Sequence, residues 1–184
     1  MVELATISPF AGLLRPVGSG GGVTVSDRDG LGLATVQSSA VLADLPTSPL
    51  RVVVGDSAFI GTGPGRWLAI REAAANSFAG NLRARFGARA AVNDQSDGYA
   101  VLRLSGPKLH ATLEKGVPID LHPDVFPVGA AATTMIAHVG VILWRLDDTE
   151  GDPVFEIALF RSMAGSFVHW LEASAGEFGL SVAP

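Results

Sequence analysis

The chain contains twenty consecutive residues, Val125 to Trp144, without a lysine, arginine, aspartate or glutamate. Such a stretch is long enough to cross a bilayer as a helix, so a membrane span has to be considered first. Pro127, Gly129 and Gly140 interrupt it, and its second half is rich in β-branched residues. This composition favours two strands separated near Gly140 over one lipid-embedded helix. We therefore expect no membrane span and a sheet-containing core.

Composition narrows the class of protein further. The 184 residues carry 13 basic and 18 acidic side chains, a net charge of −5, which argues against binding nucleic acid by phosphate neutralisation. Charged residues make up only 17% against a typical value of about 25%. The low charge is what a surface covered by a partner protein would show. An Ala- and Gly-rich composition set by codon bias would show it equally well.

Cysteine is absent, which excludes disulfides, thiolate metal sites and cysteine nucleophiles. The chain opens Met1-Val2-Glu3-Leu4, with an acid where a secretory signal needs basic residues, and no apolar segment follows. We therefore expect a cytoplasmic protein.

Residues 1–50 are predicted to form an extended N-terminal arm with short strands, because Pro9, Pro16 and the run from Gly18 to Gly22 break any helical period. Val23–Val25 and Leu31–Val36 are predicted strands, and the turn between them makes a hairpin plausible.

Residues 51–184 are predicted to form an α+β domain, a mainly antiparallel sheet with helices packed on it. Helices are expected from Glu72 to Phe86, from Pro107 to Gly116 and after a capping Ser162. The run from Asp147 to Pro153 is interpreted as a polar turn. Predicted strands are Arg51–Val54, Ala58–Ile60, Trp67–Arg71, Ala90–Asn93, Tyr99–Leu104, Thr133–Ala137, Val141–Leu146 and Val154–Phe160.

Apolar periodicity also predicts the core. In the first helix Ala75, Phe78, Ala79, Leu82 and Phe86 share one face, and Gly87 stands where a left-handed C-cap belongs. The side chains predicted to be buried are Phe78, Leu82, Phe86, Leu102, Leu104, Leu109, Leu113, Ile157, Leu159, Phe167 and Leu171.

Two glycine-rich stretches invite a nucleotide-binding interpretation. Gly18 to Gly22 lacks the Gly-Lys-Ser/Thr ending of a phosphate loop, and Gly61 to Arg66 lies between two strands instead of opening a helix. Both are predicted to be turns.

The histidines offer little for catalysis or metal binding. Asp120, His122 and Asp124 alternate as an extended metal-binding segment would, but no second cluster completes a coordination sphere. His138 is expected inside an apolar strand, and His110 and His169 on helix surfaces. Asp97 and Asp120 are the acids expected to be held in a fixed position instead of being solvated. The Asp97-Gly98 pair is also typical of a turn. No Gly-x-Ser-x-Gly elbow is present. The sequence predicts no catalytic, cofactor-binding or metal-binding residues.

The strand from Val141 to Leu146 is apolar on both of its alternating faces, whereas a one-sided antiparallel sheet alternates with polar residues. Two hypotheses remain open for its second face. Either the chain's own helices cover it, or a partner subunit does, with aromatic anchors such as Trp144 and Trp170.

Four ordered segments carry a family resemblance: SDGYAVLRLSGP (Ser96 to Pro107), KLHATLEKG, VPIDLHPDVFPVGAAATTMIAHVGVILWR and FEIALFRSMAGSFVHWL. They resemble the gamma subunit of heterotetrameric sarcosine oxidase, as does the earlier Gly-Pro-x-x-Trp-Leu pattern at Gly63 to Leu68. The Ser105-Gly106-Pro107 step is similar to one in the folate-dependent aminomethyltransferases.

The resemblance implies a fold similar to the folate-binding domain of aminomethyltransferases, and a non-catalytic structural role. It implies alpha, beta and delta partner subunits that carry FAD, FMN, NAD, tetrahydrofolate and zinc, with no cofactor bound by this chain. The implied complex demethylates sarcosine to glycine, passes the methyl carbon to tetrahydrofolate or releases formaldehyde, and forms hydrogen peroxide. The competing hypotheses are a free-standing folate-binding or aminomethyl-transfer module and an interaction module unrelated to one-carbon metabolism.

Overall fold

The computed structural model of the chain describes residues 7–73 and 77–183. Within these residues the elements, in chain order, are β1 (Val23–Asp27), β2 (Gly32–Gln37), β3 (Arg51–Val54), β4 (Ser57–Gly63), β5 (Arg66–Arg71), α1 (Phe78–Phe86), β6 (Ala91–Asp94), β7 (Tyr99–Ser105), α2 (Leu109–Leu113), β8 (Ala131–Ile136), β9 (Val139–Thr149), β10 (Asp152–Phe160), α3 (Ala164–Ala175) and β11 (Leu180–Ala183).

The strands form two sheets. The six-stranded sheet has the order β11-β1-β7-β10-β9-β8, and the five-stranded sheet has the order β3-β4-β5-β2-β6. Among the described strands β1 and β11 make the one parallel pair, and the other pairs are antiparallel. The predicted α+β class with mainly antiparallel pairing is confirmed, although the strands divide between two sheets.

Three apolar clusters show how the layers stack. One packs α2 and α3 against the six-stranded sheet, and a second packs α1 against the five-stranded sheet. The third draws residues from both sheets and lies between them, with Leu33 and Leu68 from one sheet and Ile142 and Trp144 from the other. The order of layers is therefore helices, sheet, sheet, helix.

This stacking explains why β9 is apolar on both faces. Val141 and Leu143 belong to the cluster under α2 and α3, whereas Ile142 and Trp144 belong to the cluster between the sheets. Trp144 is 0% exposed. The second face is thus covered by the chain's own second sheet, and the hypothesis that Trp144 anchors a partner is wrong. Trp170 is half-buried and packs beside Phe167, with ring centroids 5.6 Å apart.

The uncharged segment forms β8 and most of the apolar part of β9, as the prediction of two strands requires. The chain turns between them at Ala137 and His138, both of which have positive φ. Across residues 7–73 and 77–183, none of the helices combines the length and the apolar character that crossing a bilayer requires.

The predicted hairpin near the N-terminus is wrong. β1 pairs with β7 and β11 in the six-stranded sheet, whereas β2 pairs with β5 and β6 in the other. The short connection between them passes from one sheet to the other, so two strands that are neighbours in sequence are not neighbours in hydrogen bonding. The division of the chain at residue 50 stays a prediction, and β1 and β2 are interior strands of the two sheets.

Three local predictions need correction. The first helix begins at Phe78, because Glu72 lies in a turn where it pairs with Arg28; residues 74–76, including Ala75, lie outside the described residues. Ser162 does not cap the last helix, which follows a 3-10 turn at Arg161–Met163. The predicted polar turn at 147–153 narrows to Glu150 and Gly151, since β9 and β10 extend on both sides.

Every side chain predicted for the core is buried. Leu82 is 3% exposed and packs in the cluster that contains Phe59 and Phe86. The Gly87 position has φ of 54°, so the helix ends as predicted at a residue that favours glycine, although its ψ is not that of a left-handed helix.

We expect Leu82→Ala to lower the free energy of unfolding by about 2–5 kcal/mol, because it removes buried methyl groups and leaves a cavity. Urea unfolding followed by circular dichroism measures the change. Asn81→Ala is the control: Asn81 is exposed on the same helix, and its replacement is expected to change stability by less than about 0.5 kcal/mol. A similarly small loss for Leu82→Ala would contradict the assigned helix face.

A candidate functional site between the sheets

A cleft lies where two connections of the chain lead from one sheet to the other. The connection from β1 to β2 and the connection from β6 to β7 meet at this end of the molecule, and each contains an Asp-Gly turn. The cleft has a volume of about 410 Å³. Its charged lining residues are Asp27, Arg28, Asp29, Asp94, Asp97 and Arg161.

Asp27 is the most perturbed carboxyl group of the cleft. Ser8 donates a hydrogen bond to its Oδ2 atom. Burial raises the pKa of Asp27 above its ordinary value, the Asp29 carboxylate adds to this, and the Ser8 hydrogen bond and the Arg161 guanidinium act in the opposite direction. The neutral form of Asp27 is therefore favoured more in the folded chain than in the unfolded one.

This shift predicts a pH dependence. Because folding raises the pKa of Asp27, its neutral form contributes stability below the ordinary value of about 3.9, and that contribution is lost as the pH rises through the folded-state pKa. Relative to the wild type, Asp27→Asn is expected to gain stability as the pH rises from about 4 to 7. Asp97→Asn, an exposed change in the same cleft, is the control. Urea titrations at several pH values measure the difference, and parallel curves for Asp27→Asn and wild type would contradict the shift.

Tyr99 forms another wall of the cleft. Burial raises the pKa of its phenol, and its ring stacks on Phe160 with centroids 4.6 Å apart. Among the described residues, neither histidine nor lysine lines the cleft. The lining offers carboxylates, a phenol, two guanidinium groups and the hydroxyls of Ser8 and Ser96, and the Ser8 hydroxyl is hydrogen-bonded to the Asp27 carboxyl group.

A second polar cluster, which the sequence analysis missed, surrounds Glu156 on β10. Glu156 is 7% exposed. Its Oε1 atom accepts hydrogen bonds from Arg28 Nε at 3.0 Å and from Arg103 Nη2 at 2.7 Å, and its Oε2 atom accepts one from Trp144 Nε1 at 3.0 Å. A lone acid inside the apolar run VFEIALF is the signal that could have found it, because a buried carboxylate needs paired donors.

The segment from Asp120 to Asp124, whose alternating Asp and His residues were weighed as metal ligands and rejected, is a largely exposed loop. Asp120 Oδ1 accepts a hydrogen bond from the His122 backbone N–H at 2.8 Å, and His122 Nδ1 lies 3.5 Å from Asp124. Asp120, His122 and Asp124 alternate because they contact one another within a single loop. Within residues 7–73 and 77–183, no three His, Asp or Glu side chains are arranged to hold a metal ion.

The remaining histidines are separate from one another and from the cleft. His138 is exposed in the β8–β9 turn, so its predicted place inside a strand is wrong. His110 on α2 packs edge-on against Phe155, with centroids 5.6 Å apart, and burial lowers its pKa. His169 is exposed on α3.

Both glycine stretches serve backbone geometry, as predicted. Gly65 turns the chain between β4 and β5 with φ of 64°. In the other stretch two segments cross closely: a Cβ on Gly22 would lie 2.5 Å from the Phe178 carbonyl oxygen, and one on Gly18 would lie 2.6 Å from that of Gly176. Glycine is required there because the backbones touch.

Comparison with known proteins decides the family. The sequence model of the "Sarcosine oxidase, gamma subunit family" matches residues 26–177. The chain belongs to the sarcosine oxidase gamma subunit family. Two curated members are subunits gamma of sarcosine oxidase: that of Corynebacterium sp. strain P-1 is 34% identical over 88% of this chain and 72% of its own length, and that of Arthrobacter sp. is 35% identical over 66% and 58%.

Solved structures agree with this gamma-subunit assignment. A chain of heterotetrameric sarcosine oxidase from Corynebacterium sp. U-96, solved in complex with pyrrole 2-carboxylate, matches with a TM-score of 0.82 at 26% identity, over 94% of this chain and 96% of that one. Aminomethyltransferase T from Bartonella henselae matches with a TM-score of 0.66 at 18% identity, over 89% of this chain and 48% of that one. The second match shows a shared fold, the aminomethyltransferase-like fold that the sequence predicted.

Proposed function

We propose that this chain is the non-catalytic, structural gamma subunit of a heterotetrameric sarcosine oxidase. The match to a chain of the heterotetrameric enzyme over 94% of the present chain is the observation that carries the proposal. The family assignment from residues 26–177 supports it independently. Its partners in this proposal are alpha, beta and delta subunits, and the assembly works in the cytoplasm.

In this proposal the complex oxidises sarcosine and releases glycine. The methyl carbon passes to tetrahydrofolate or leaves as formaldehyde, and oxygen is reduced to hydrogen peroxide. FAD, FMN, NAD, tetrahydrofolate and zinc belong to the partner subunits. The present chain contributes by holding those subunits in their working arrangement.

The chemistry of the cleft supports a non-catalytic role. Four aspartates line it, and two of them, Asp27 and Asp29, lie two positions apart. Arg28 and Arg161 offset two of these four charges, and the remaining negative charge disfavours the carboxylates on the glutamate tail of tetrahydrofolate. We derive no catalytic step from the cleft residues.

A free-standing folate-binding or aminomethyl-transfer module is the second candidate. The shared fold with aminomethyltransferase T and the 410 Å³ cleft are the observations in its favour. Titration of the chain with tetrahydrofolate separates the two functions, because saturable binding is expected only of the second.

Co-expression of the tagged chain with the alpha, beta and delta subunits tests the proposal. We expect the four chains to elute together with a flavin spectrum and sarcosine-dependent peroxide formation. The chain expressed by itself is expected to show neither the spectrum nor the activity. Elution of the tagged chain apart from all three co-expressed subunits would contradict the proposal.

A further inference from the structure

Arg51, the first residue of β3, is a partly buried arginine that makes no ion pair in the part of the chain that the structure describes. Its Nε atom is shielded from solvent and has no hydrogen-bond partner within residues 7–73 and 77–183. In the same part of the chain no carboxylate lies within ion-pair distance of it. A partly buried guanidinium with an unsatisfied N–H is costly, so an acceptor from outside the chain would stabilise Arg51.

The carboxylates that line a cavity with Arg51 are paired with other arginines. A small cavity between the sheets is lined by four arginines and three acids. Of these acids, Glu156 accepts from Arg28 and Arg103, Glu72 pairs with Arg28, and Asp56 pairs with Arg71. Among the arginines that line this cavity, Arg51 is the one that pairs with none of its acids.

Arg51 and Arg103 also line a wider groove of about 350 Å³ beside this cavity. Arg103 uses Nε and Nη2 on Glu156, at 3.1 and 2.7 Å, which leaves its Nη1 group for another acceptor. The hydroxyl groups of Ser105 and Thr149 lie on the same groove, as does the carboxylate of Asp147. Because Arg103 is paired with Glu156, the charged groups of the groove that have no ion pair among the described residues are Arg51 and Asp147.

We propose that this groove binds a single carboxylate group through Arg51, with Arg103 beside it. The planar fork of a guanidinium matches the two oxygens of a carboxylate, and Arg51 has no such partner among the described residues. A doubly charged phosphate would bring two negative charges close to Asp147, which makes a single carboxylate the better ligand. The carboxylate belongs either to a free small acid or to a side chain of a partner subunit.

Titration of the full chain with acetate, followed through the Nε–Hε resonances of its arginines, tests the site without any partner. The Arg51 resonance is expected to shift and to saturate, and the Arg103 resonance to follow it. Arg66, an exposed arginine on β5, is the internal reference and is expected to stay still. In Arg51→Gln the shift of Arg103 is expected to disappear, whereas Arg66→Gln leaves it unchanged.

Assembly with the alpha, beta and delta subunits distinguishes the two sources, and only this arm rests on the proposed function. A yield of complex lowered several-fold by Arg51→Gln but not by Arg66→Gln assigns the carboxylate to a partner, and an unchanged yield assigns it to a free acid. The wild-type titration decides the site itself. If Arg51 shows no saturable shift, or if Arg66 shifts in parallel with it, the groove is not a carboxylate site.

Discussion

Trp144→Ala is expected to lower the free energy of unfolding by about 3–5 kcal/mol, the range for removing a fully buried aromatic side chain. Trp144 is 0% exposed, lies in the apolar cluster between the two sheets and donates its Nε1 hydrogen to Glu156. Its removal opens a cavity and leaves an oxygen of a buried carboxylate without its donor. Urea unfolding followed by circular dichroism measures the loss.

Two further variants separate the causes of this loss. Trp144→Phe keeps most of the apolar volume but removes the donor, and it is expected to cost about 1–3 kcal/mol. Trp170→Phe is the control at a half-buried tryptophan and is expected to cost less than about 1.5 kcal/mol. If Trp144→Ala costs under about 1 kcal/mol, the tryptophan does not lie between the sheets.

Glu156→Gln is the second large expected effect. It removes the charge that Arg28 and Arg103 share, at 3.0 and 2.7 Å, while it keeps the shape of the side chain. Removing one partner of a fully buried ion pair costs about 3–5 kcal/mol. Because the two arginines are 22% and 39% exposed, water screens them in part, and we expect a loss of about 2–3 kcal/mol.

A double-mutant cycle shows whether Glu156 and Trp144 act as one unit. The losses of Trp144→Phe and Glu156→Gln are expected to differ from additivity by more than about 0.5 kcal/mol, because the two side chains share a hydrogen bond. Asp56→Asn, which affects an exposed pair with Arg71, is the control for a charge change at the edge of the same cavity. Additive losses would contradict the shared bond.

The periodicity of apolar residues predicted those helices and strands well whose pattern follows from their own backbone geometry. Arg51–Val54 is a strand with the predicted bounds, and Tyr99–Leu104 is extended by one residue. However, the alternation of apolar and polar residues in a strand does not show which other strand pairs with it. For this reason β1 and β2 were predicted to pair with each other. For the same reason two candidates remained for covering the second face of β9, the chain's own helices and another subunit.

Elements without an apolar pattern of their own were harder to predict. β11 was not predicted because Leu180–Ala183 is short and its strand conformation depends on parallel pairing with β1. The helix start was placed too early because Glu72, which resembles a first-turn acid, lies instead in a turn, where it pairs with Arg28. In both cases contacts that are distant in sequence decide the local structure.

The family could be predicted from the sequence, whereas the contacts among buried polar side chains could not. The ordered segments from Ser96 to Leu171 indicated the gamma-subunit family, which the match over residues 26–177 confirms. The hydrogen-bond donors to Glu156 could not be predicted, since Arg28, Arg103 and Trp144 come from three different strands or connections. The unpaired charge of Arg51 likewise emerges only when the two sheets face each other.

The most direct test of the structural role is the rate of flavin reduction by sarcosine in complexes assembled with wild-type or Asp27→Asn chain. Asp27 lines the cleft between the sheets, and burial raises its pKa, so it is the acid at which we test for a catalytic role. Stopped-flow absorbance, normalised to the amount of assembled complex, is expected to give equal rates for the two. Normal amounts of intact complex with a rate lowered tenfold or more would show that the chain takes part in the chemistry, and would contradict its assignment as a structural subunit.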